Sequence, residues 1–363
     1  MGFKCGLVGL PNVGKSTIFN ALTSQQVAAS NYPFCTIDPN IGIVPLKDER
    51  LEKIDKIVGS AKVTPTTLEF IDIAGLVEDA SKGEGLGNQF LNHIQGVDAI
   101  AHVVRCFEDE NVAHTSPQLD PVSDAAVVIT ELILKDLEII ERRLVKLNVA
   151  VKSGDPKLKE QQKAFSEIQQ RLSQGIPLKK MDLKQNAKEL IAELNLLTMK
   201  PAIFIANVGE DNYQHNPYAE QLQNFADQQN EPCIMICGKV QEEISQLDAE
   251  SQREFLEEWG LDELSLDKIV RAGYQVLDLI TFFTANKNEA HAWTIPRGTY
   301  VHKAAGKIHS DFEKGFIKAE VIKLDDLFKF GSEAKVREHG AIAIHGKDYI
   351  VEDGDLILFR FHN

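Results

Sequence analysis

The chain has 363 residues, 43% of them hydrophobic and 26% charged. That length sets an expectation of two or three domains, and the composition excludes a mainly disordered or fibrous protein. The formal net charge is −15, so an evenly acidic surface would repel nucleic acid and only a local basic patch could bind it. The acidic excess is uneven: residues 201–277 carry 4 basic and 15 acidic side chains, whereas residues 141–180 carry 10 and 4. No uncharged apolar run approaches 18 residues, so no membrane span is expected. The first residues lack a basic segment and run straight into an apolar stretch, so no signal peptide is expected. The five cysteines (Cys5, Cys35, Cys106, Cys233 and Cys237) are scattered and odd in number. They read as reduced thiols of a cytoplasmic protein.

In chain order, Phe3–Val8 reads as a short buried strand and residues 16–24 as a helix with Ile18, Phe19 and Leu22 on one side. Strand-like runs follow at Thr67–Ile73, Ala99–Arg105, Ala202–Asn207 and Cys233–Cys237, with helical patterns between them. Strands alternating with helices predict an α/β fold with a doubly wound, mainly parallel sheet. Residues 123–197 interrupt the alternation. Ile133, Leu137, Ile140, Leu144, Leu147 and Val151 recur at heptad spacing, Gly154-Asp155-Pro156 signals a turn, and Leu158, Phe165, Ile168 and Leu172 mark a second helix. This predicts an inserted antiparallel helical hairpin, coiled-coil-like or simply amphipathic. From about residue 278 short runs punctuated by glycine recur: Thr281–Ala285, Ala292–Ile295, Lys318–Ile322, Ile342–Ile344, Tyr349–Val351 and Leu356–Phe361. They suit a small α+β domain. The expected division is residues 1–122 and 200–277 for one split domain, 123–199 for the insertion and 278–363 for the last domain.

Gly9-Leu10-Pro11-Asn12-Val13-Gly14-Lys15-Ser16 matches G-x-x-x-x-G-K-[ST], lies after a predicted strand and opens a predicted helix, with Thr17 next. That context is what a phosphate-binding loop requires. Its backbone N–H groups cradle phosphate oxygens at a helix N-terminus, Lys15 reaches the β- and γ-phosphates, and the Ser16 hydroxyl binds Mg2+. Asp72-Ile73-Ala74-Gly75 ends an apolar strand, which places Asp72 to hold Mg2+ through water and the Gly75 N–H to sense the γ-phosphate. Thr36 lies between the two motifs, positioned to close on the metal. Asn207-Val208-Gly209-Glu210 follows a predicted strand where P-loop GTPases carry N-K-x-D, and Cys237-Gly238-Lys239 follows the next.

These motifs, with the hairpin and the stretch Thr299–His309, resemble the YchF subfamily of Obg-related P-loop GTPases, the Obg-like ATPases. The resemblance covers essentially the whole chain and implies a P-loop NTPase domain, a helical insertion and a C-terminal β-grasp (TGS) domain. It implies a preference for ATP, Mg2+ as cofactor, K+ as a further cation, and association with ribosomes. Three departures from an ordinary GTPase carry information. Leu76 stands where a water-positioning glutamine is usual, so hydrolysis is expected to be slow unless another group substitutes. His114, in the polar loop Glu108–Asp120, is either that group or a solvated loop histidine; His93 is the weaker candidate. Asn12 either helps bind K+ or only shapes the loop. Val208 and Glu210 replace the lysine and aspartate that read guanine, so readout of that base is expected to weaken. The adenine or guanine base would rest near Asn207, Val208, Glu210, Cys237, Gly238 and Lys239. The basic stretch 141–180, with Arg142, Arg143, Lys146, Lys152, Lys157, Lys159 and Lys163, is either an arm facing ribosomal RNA or a solvated helix face. The TGS domain is a second candidate for that contact. The expectation is a slow ATPase that switches on the ribosome or its large subunit; a guanine-specific GTPase and a nucleotide-sensing RNA adaptor with little turnover are the alternatives.

Overall fold

A computed structural model describes residues 3–24, 40–73, 94–109, 119–210, 213, 215–259 and 263–362. Six strands form the first sheet: β1 (Phe3–Val8), β2 (Ile41–Pro45), β4 (Thr67–Asp72), β5 (Ala99–Arg105), β6 (Ala202–Asn207) and β7 (Cys233–Ile236), in the order β2-β4-β1-β5-β6-β7. All neighbours are parallel except β2, which runs antiparallel to β4 at the edge. The central strands are buried on both faces: every residue of β5 and β6 is buried. This is the continuous burial of a parallel sheet covered by helices on both faces, not the alternation of a half-exposed one. Helix α1 (Lys15–Ser24) covers one face with Ile18, Phe19 and Leu22.

Strand β2 did not stand out in the sequence, because Gly42 and Pro45 dilute its apolar signal. The glycine is required by packing: a Cβ at Gly42 would overlap the Thr23 methyl of α1. At the other end of the chain, Tyr349–Val351 is not a strand. Only an isolated bridge joins Tyr300 to Ile350, and the Asp353-Gly354 turn follows at once.

Between β5 and β6 the chain leaves the sheet as two long helices, α3 (Pro121–Ala150) and α4 (Pro156–Ser173). Asp120 caps α3 by accepting from Ser123 N (3.0 Å), and Asp155 caps α4 by accepting from Lys157 N (2.9 Å), each followed by proline at the first helical position. Gly154, at φ +86°, makes the reversal between them. Ile133, Ile140, Leu144 and Leu147 of α3 pack on Phe165, Ile168 and Leu172 of α4 in a core of their own. Each such side chain contributes about 1.5–3 kcal/mol by leaving water. At the root, the fully buried Asp136 carboxylate accepts from Leu197 N (2.7 Å), Thr198 N (2.8 Å) and Thr198 Oγ1 (2.6 Å). Three donors satisfy it where a lone buried carboxylate would be costly.

The second sheet is mixed, in the order β11-β10-β12-β8-β9-β3. Its strands are β8 (Leu279–Ala285), β9 (Glu289–Pro296), β10 (Phe316–Ile322), β11 (Ile342–His345), β12 (Leu356–Phe361) and, from far earlier in the chain, β3 (Lys62–Thr64). Helix α2 (Glu49–Val58) goes with it: Leu51 and Ile54 are buried among Phe283, Ile322, Leu327 and Leu356. In this sheet Glu320 is buried beneath Arg360 and Arg337, which donate to its two oxygens at 3.2 and 2.9 Å.

Hydrogen bonds from Arg360 and then Arg337 hold the Glu320 carboxyl down at about 2. A carboxyl depressed in the folded state stabilises fully above its unfolded value of about 4.3 and loses that contribution as pH falls towards the folded one. Glu320→Gln is therefore expected to lower stability at pH 7 by on the order of 1 kcal/mol, since both guanidiniums are half exposed. The gap to wild type should close between about pH 4.3 and 2, read from urea midpoints across a pH series.

Candidate phosphate and nucleotide site

The C-terminal ends of β1, β4, β6 and β7 meet at one edge of the first sheet, where ligands of open α/β folds bind. β1 delivers the chain into a loop that turns into α1. Asn12 (φ 60°) and Gly14 (φ 86°) both adopt left-handed backbone, and a Cβ at Gly14 would overlap the Asn207 carboxamide. Glycine at 14 is thus demanded twice, by conformation and by space. The helix begins with Ile18 N donating to Gly14 O (3.0 Å). The N–H groups of Lys15, Ser16 and Thr17 therefore belong to the turn that has no intrahelical acceptor, at the positive end of the helix dipole.

The Lys15 ammonium is folded back onto β4. It donates to Ile73 O and lies 3.3 Å from Asp72 Oδ1. Both side chains are largely buried, 11% and 19% exposed. Asp72 Oδ1 is itself buried and has no aligned hydrogen-bond donor. An acceptor of that kind, beside the exposed hydroxyl-bearing Ser16, fits a hard divalent cation or its water shell. Ser16 and Asp72 are accordingly the described residues that would hold Mg2+, and the ion would neutralise charge on the β- and γ-phosphates.

Asn207 ends β6 and is 5% exposed. Its Nδ2 donates to Val13 O (2.9 Å), and its Oδ1 accepts from Gly238 N (3.0 Å). One carboxamide thus ties the phosphate loop to the loop after β7. That bridging role was not legible in the sequence, which marked Asn207 only as a residue near the base; Ile73 O as an acceptor for Lys15 was missed altogether. Val208 is 2% exposed and packs with Cys237, Val240 and Ile244 in the apolar cluster behind the site. Burial pushes the Cys237 thiol up. Glu210 and Lys239 stay at the surface and pair at 2.9 Å, and that hydrogen bond raises the Lys239 ammonium.

The structure therefore brings Asn12, Val13, Gly14, Lys15, Ser16 and Thr17 together with Asp72, and links them through Asn207 to Gly238. Thr36, Gly75, Leu76, His93 and His114 lie outside the described residues. On the hairpin, Arg142, Arg143, Lys146, Lys152, Lys157, Lys159 and Lys163 are all exposed around the Gly154 turn. Val145 and Val149 stand among them, 65% and 66% exposed. Among the described residues no helix is long and apolar enough to cross a membrane, and no group of three His, Cys, Asp or Glu side chains could hold a metal ion.

Residues 4–141 match a family model described as "50S ribosome-binding GTPase", and residues 279–362 match the C-terminal model of YchF GTPases, described as "Protein of unknown function (DUF933)". The "Ribosome-binding ATPase YchF" of Escherichia coli O157:H7 is 47% identical over 362 residues, covering 100% of both chains. The protein of that name in Bacillus subtilis is 43% identical over 365 residues, again covering 100% of both. Among solved structures, the Schizosaccharomyces pombe YchF GTPase superposes with a TM-score of 0.90 at 35% identity, covering 99% of this chain and 98% of that one. A GTP binding protein from Pyrococcus horikoshii, 16% identical with a TM-score of 0.63 and covering 99% of this chain and 100% of that one, shares the fold. Identities of 47% and 43% along the full length of these relatives, with the match of residues 279–362 to the C-terminal model, show that the chain belongs to the YchF family.

Proposed function

We propose that this chain is a slow Mg2+-dependent ATPase that acts in the cytoplasm as a nucleotide-controlled switch on the ribosome. The observation that carries the reading is the Lys15–Asp72 contact at 3.3 Å beside a loop–helix turn. It is a catalytic-type ammonium and a cation-binding carboxylate held together where a triphosphate would separate them. The names of the relatives, ribosome-binding ATPases, support the activity and the partner. Residues 1–122 and 200–277 then form the nucleotide-binding domain, 123–199 an arm and 278–363 the TGS domain, with residues 46–66 of the first crossing into the last.

In this mechanism the N–H groups of Gly14, Lys15, Ser16 and Thr17 receive the phosphates. Lys15 leaves Asp72 and Ile73 O for the β- and γ-phosphate oxygens, where it stabilises charge that grows as the terminal P–O bond breaks. Ser16, Asp72 and, by family resemblance, Thr36 would hold the metal, which would neutralise phosphate charge, and the Gly75 N–H is proposed by the same resemblance to meet the γ-phosphate. Water attacks the γ-phosphorus and yields ADP and inorganic phosphate. Leu76 cannot orient that water, so turnover is slow; His114 is the group proposed to assist, and Asn12 the ligand proposed for K+. Lys15→Ala and Ser16→Ala should each lower turnover by about 10²–10³-fold with the fold intact. Wild-type turnover in either purified variant would rule out the site.

Base preference follows from the rim. Guanine offers two adjacent donors, N1–H and the N2 amine, and a free carboxylate would take both. Glu210 is engaged by Lys239 instead, and Val208 brings no lysine stem. ATP should bind more tightly than GTP in calorimetric titration, and Glu210→Ala should change GTP affinity by less than about threefold. Tenfold tighter binding of GTP to wild type would reverse the assignment.

The exposed cations of residues 141–180 are the proposed contact to ribosomal RNA, with the TGS domain as a second. Ionic screening over about 8 Å lets a local cluster act despite the acidic remainder. Reversing Arg142, Arg143, Lys157 and Lys159 to Glu should weaken co-sedimentation with ribosomes. It should also flatten the salt dependence by roughly 0.7–0.9 in log–log slope for each lost phosphate contact, while ATP affinity stays as it was. Equal pelleting of variant and wild type across a salt series would assign those helices to solvent.

A further inference from the structure

Residues 46–66 leave the first sheet and join the second. The departure has a closed neck: Pro45 pairs with Thr67, and Leu46 N donates to Thr66 O (2.9 Å). Between those points the chain is built into the C-terminal sheet. β3 pairs parallel with β9 from Lys62↔Glu289 to Thr64↔His291, and Leu51 and Ile54 of α2 are core residues there.

The attachment is directional as well as apolar. Ser60 Oγ donates to Asn286 O (2.7 Å), Lys287 Nζ to Val58 O (2.6 Å) and Ala61 N to Lys287 O (3.0 Å). Thr64 Oγ1 donates to Glu289 (2.5 Å), and Arg50 bonds Asp353 (2.6 Å). At the neck the hydroxyls of Thr66, Thr294, Tyr274 and Thr281 form a buried chain. A satisfied buried network of this kind permits one register and resists sliding.

The strand that emerges from the neck is β4, and six residues later it ends at Asp72. One six-residue strand therefore follows directly on Thr66, which is bonded to Thr294 of the C-terminal sheet, and has its end at the Lys15 contact. β2 is laddered to it along its full length, from Ile41↔Ile71 to Pro45↔Thr67.

We propose that residues 46–66 and β4 form a mechanical coupling through which the phosphate site and the C-terminal sheet bias each other. The proposal rests on the nucleotide-binding reading above. When phosphate draws Lys15 away from Asp72 and Ile73 O, the end of β4 changes partners. A stiff strand passes that change to the neck, because packed elements shift as units. Reciprocity is required: whatever binds the C-terminal sheet in a state-dependent way alters nucleotide affinity by the same factor.

Hydrogen–deuterium exchange on the full chain tests it, with a non-hydrolysable ATP analogue and Mg2+ as the probe. The expected result is altered exchange at the amides of α1 and also of β9, residues 289–296, on adding the analogue. In the triple variant Arg50→Gln, Lys287→Met, Glu289→Gln, none of which is in the phosphate site, the α1 response and the analogue's affinity should stay within about twofold of wild type. The β9 response should fall at least threefold. Thermal melting of the variant above the assay temperature confirms that it is folded, and Lys287→Met alone supplies a milder version with a partial loss. A response at α1 with none at β9 in wild type would overturn the coupling alone, as would a β9 response fully retained in the folded triple variant. A silent α1 would overturn the nucleotide-binding reading and this proposal with it.

Discussion

One carboxamide organises the nucleotide site. Asn207 is buried at the end of β6, donates to Val13 O and accepts from Gly238 N. It thereby joins loops that follow β1 and β7, two strands that do not touch in the sheet. The parallel sheet places the ends of its strands on one edge, but it does not fix the loops beyond them. A buried amide with both of its polar atoms paired does, because each bond specifies a distance and a direction, and an unpaired partner in the interior would cost about 1–3 kcal/mol. Gly14 is the complement of that amide: only a residue without a side chain leaves it room.

Lys15 of the phosphate loop shows the same economy. Its ammonium rests on Asp72 and the carbonyl of Ile73, so a charge that would be expensive to leave bare in a mostly buried position is compensated. Exchange of these partners for phosphate oxygens is a swap between charge-assisted contacts. In the nucleotide-binding reading proposed above, that swap keeps the energetic step small. Thr66, the residue before β4, is bonded to Thr294 of β9, so the strand that ends at the site starts one residue from a contact with the second sheet.

The arm differs from both. Its core of leucine, isoleucine and phenylalanine is separate from those of the sheets, and its root is held by Asp136 on the segment that returns to β6. A root tied by Asp136 and an exposed basic tip around Gly154 gather positive charge in one place on an acidic chain. At physiological ionic strength such charges act over roughly a Debye length, so the distribution of charge matters more than its sum.

Much of this protein was legible in one dimension. The phosphate loop, the parallel strands β1, β5, β6 and β7, the heptad stripe from Ile133 to Leu147 and the glycine-punctuated C-terminal strands each follow from local rules of periodicity, turn chemistry and backbone freedom. Those rules act over a few residues, and so they can be read from a few residues. Three things were decided only in three dimensions. The residues of α2 fall within the 1–122 expected for the first domain, yet Leu51 and Ile54 lie in the core of the second sheet. β3 is three residues long and acquires meaning only from β9, more than two hundred residues on. Asn207 reads as a base contact, yet both ends of its amide are spent on holding two loops together. In each case the partner is remote in sequence, and the free energy of burying an apolar face or pairing a polar atom depends on what folding brings opposite it.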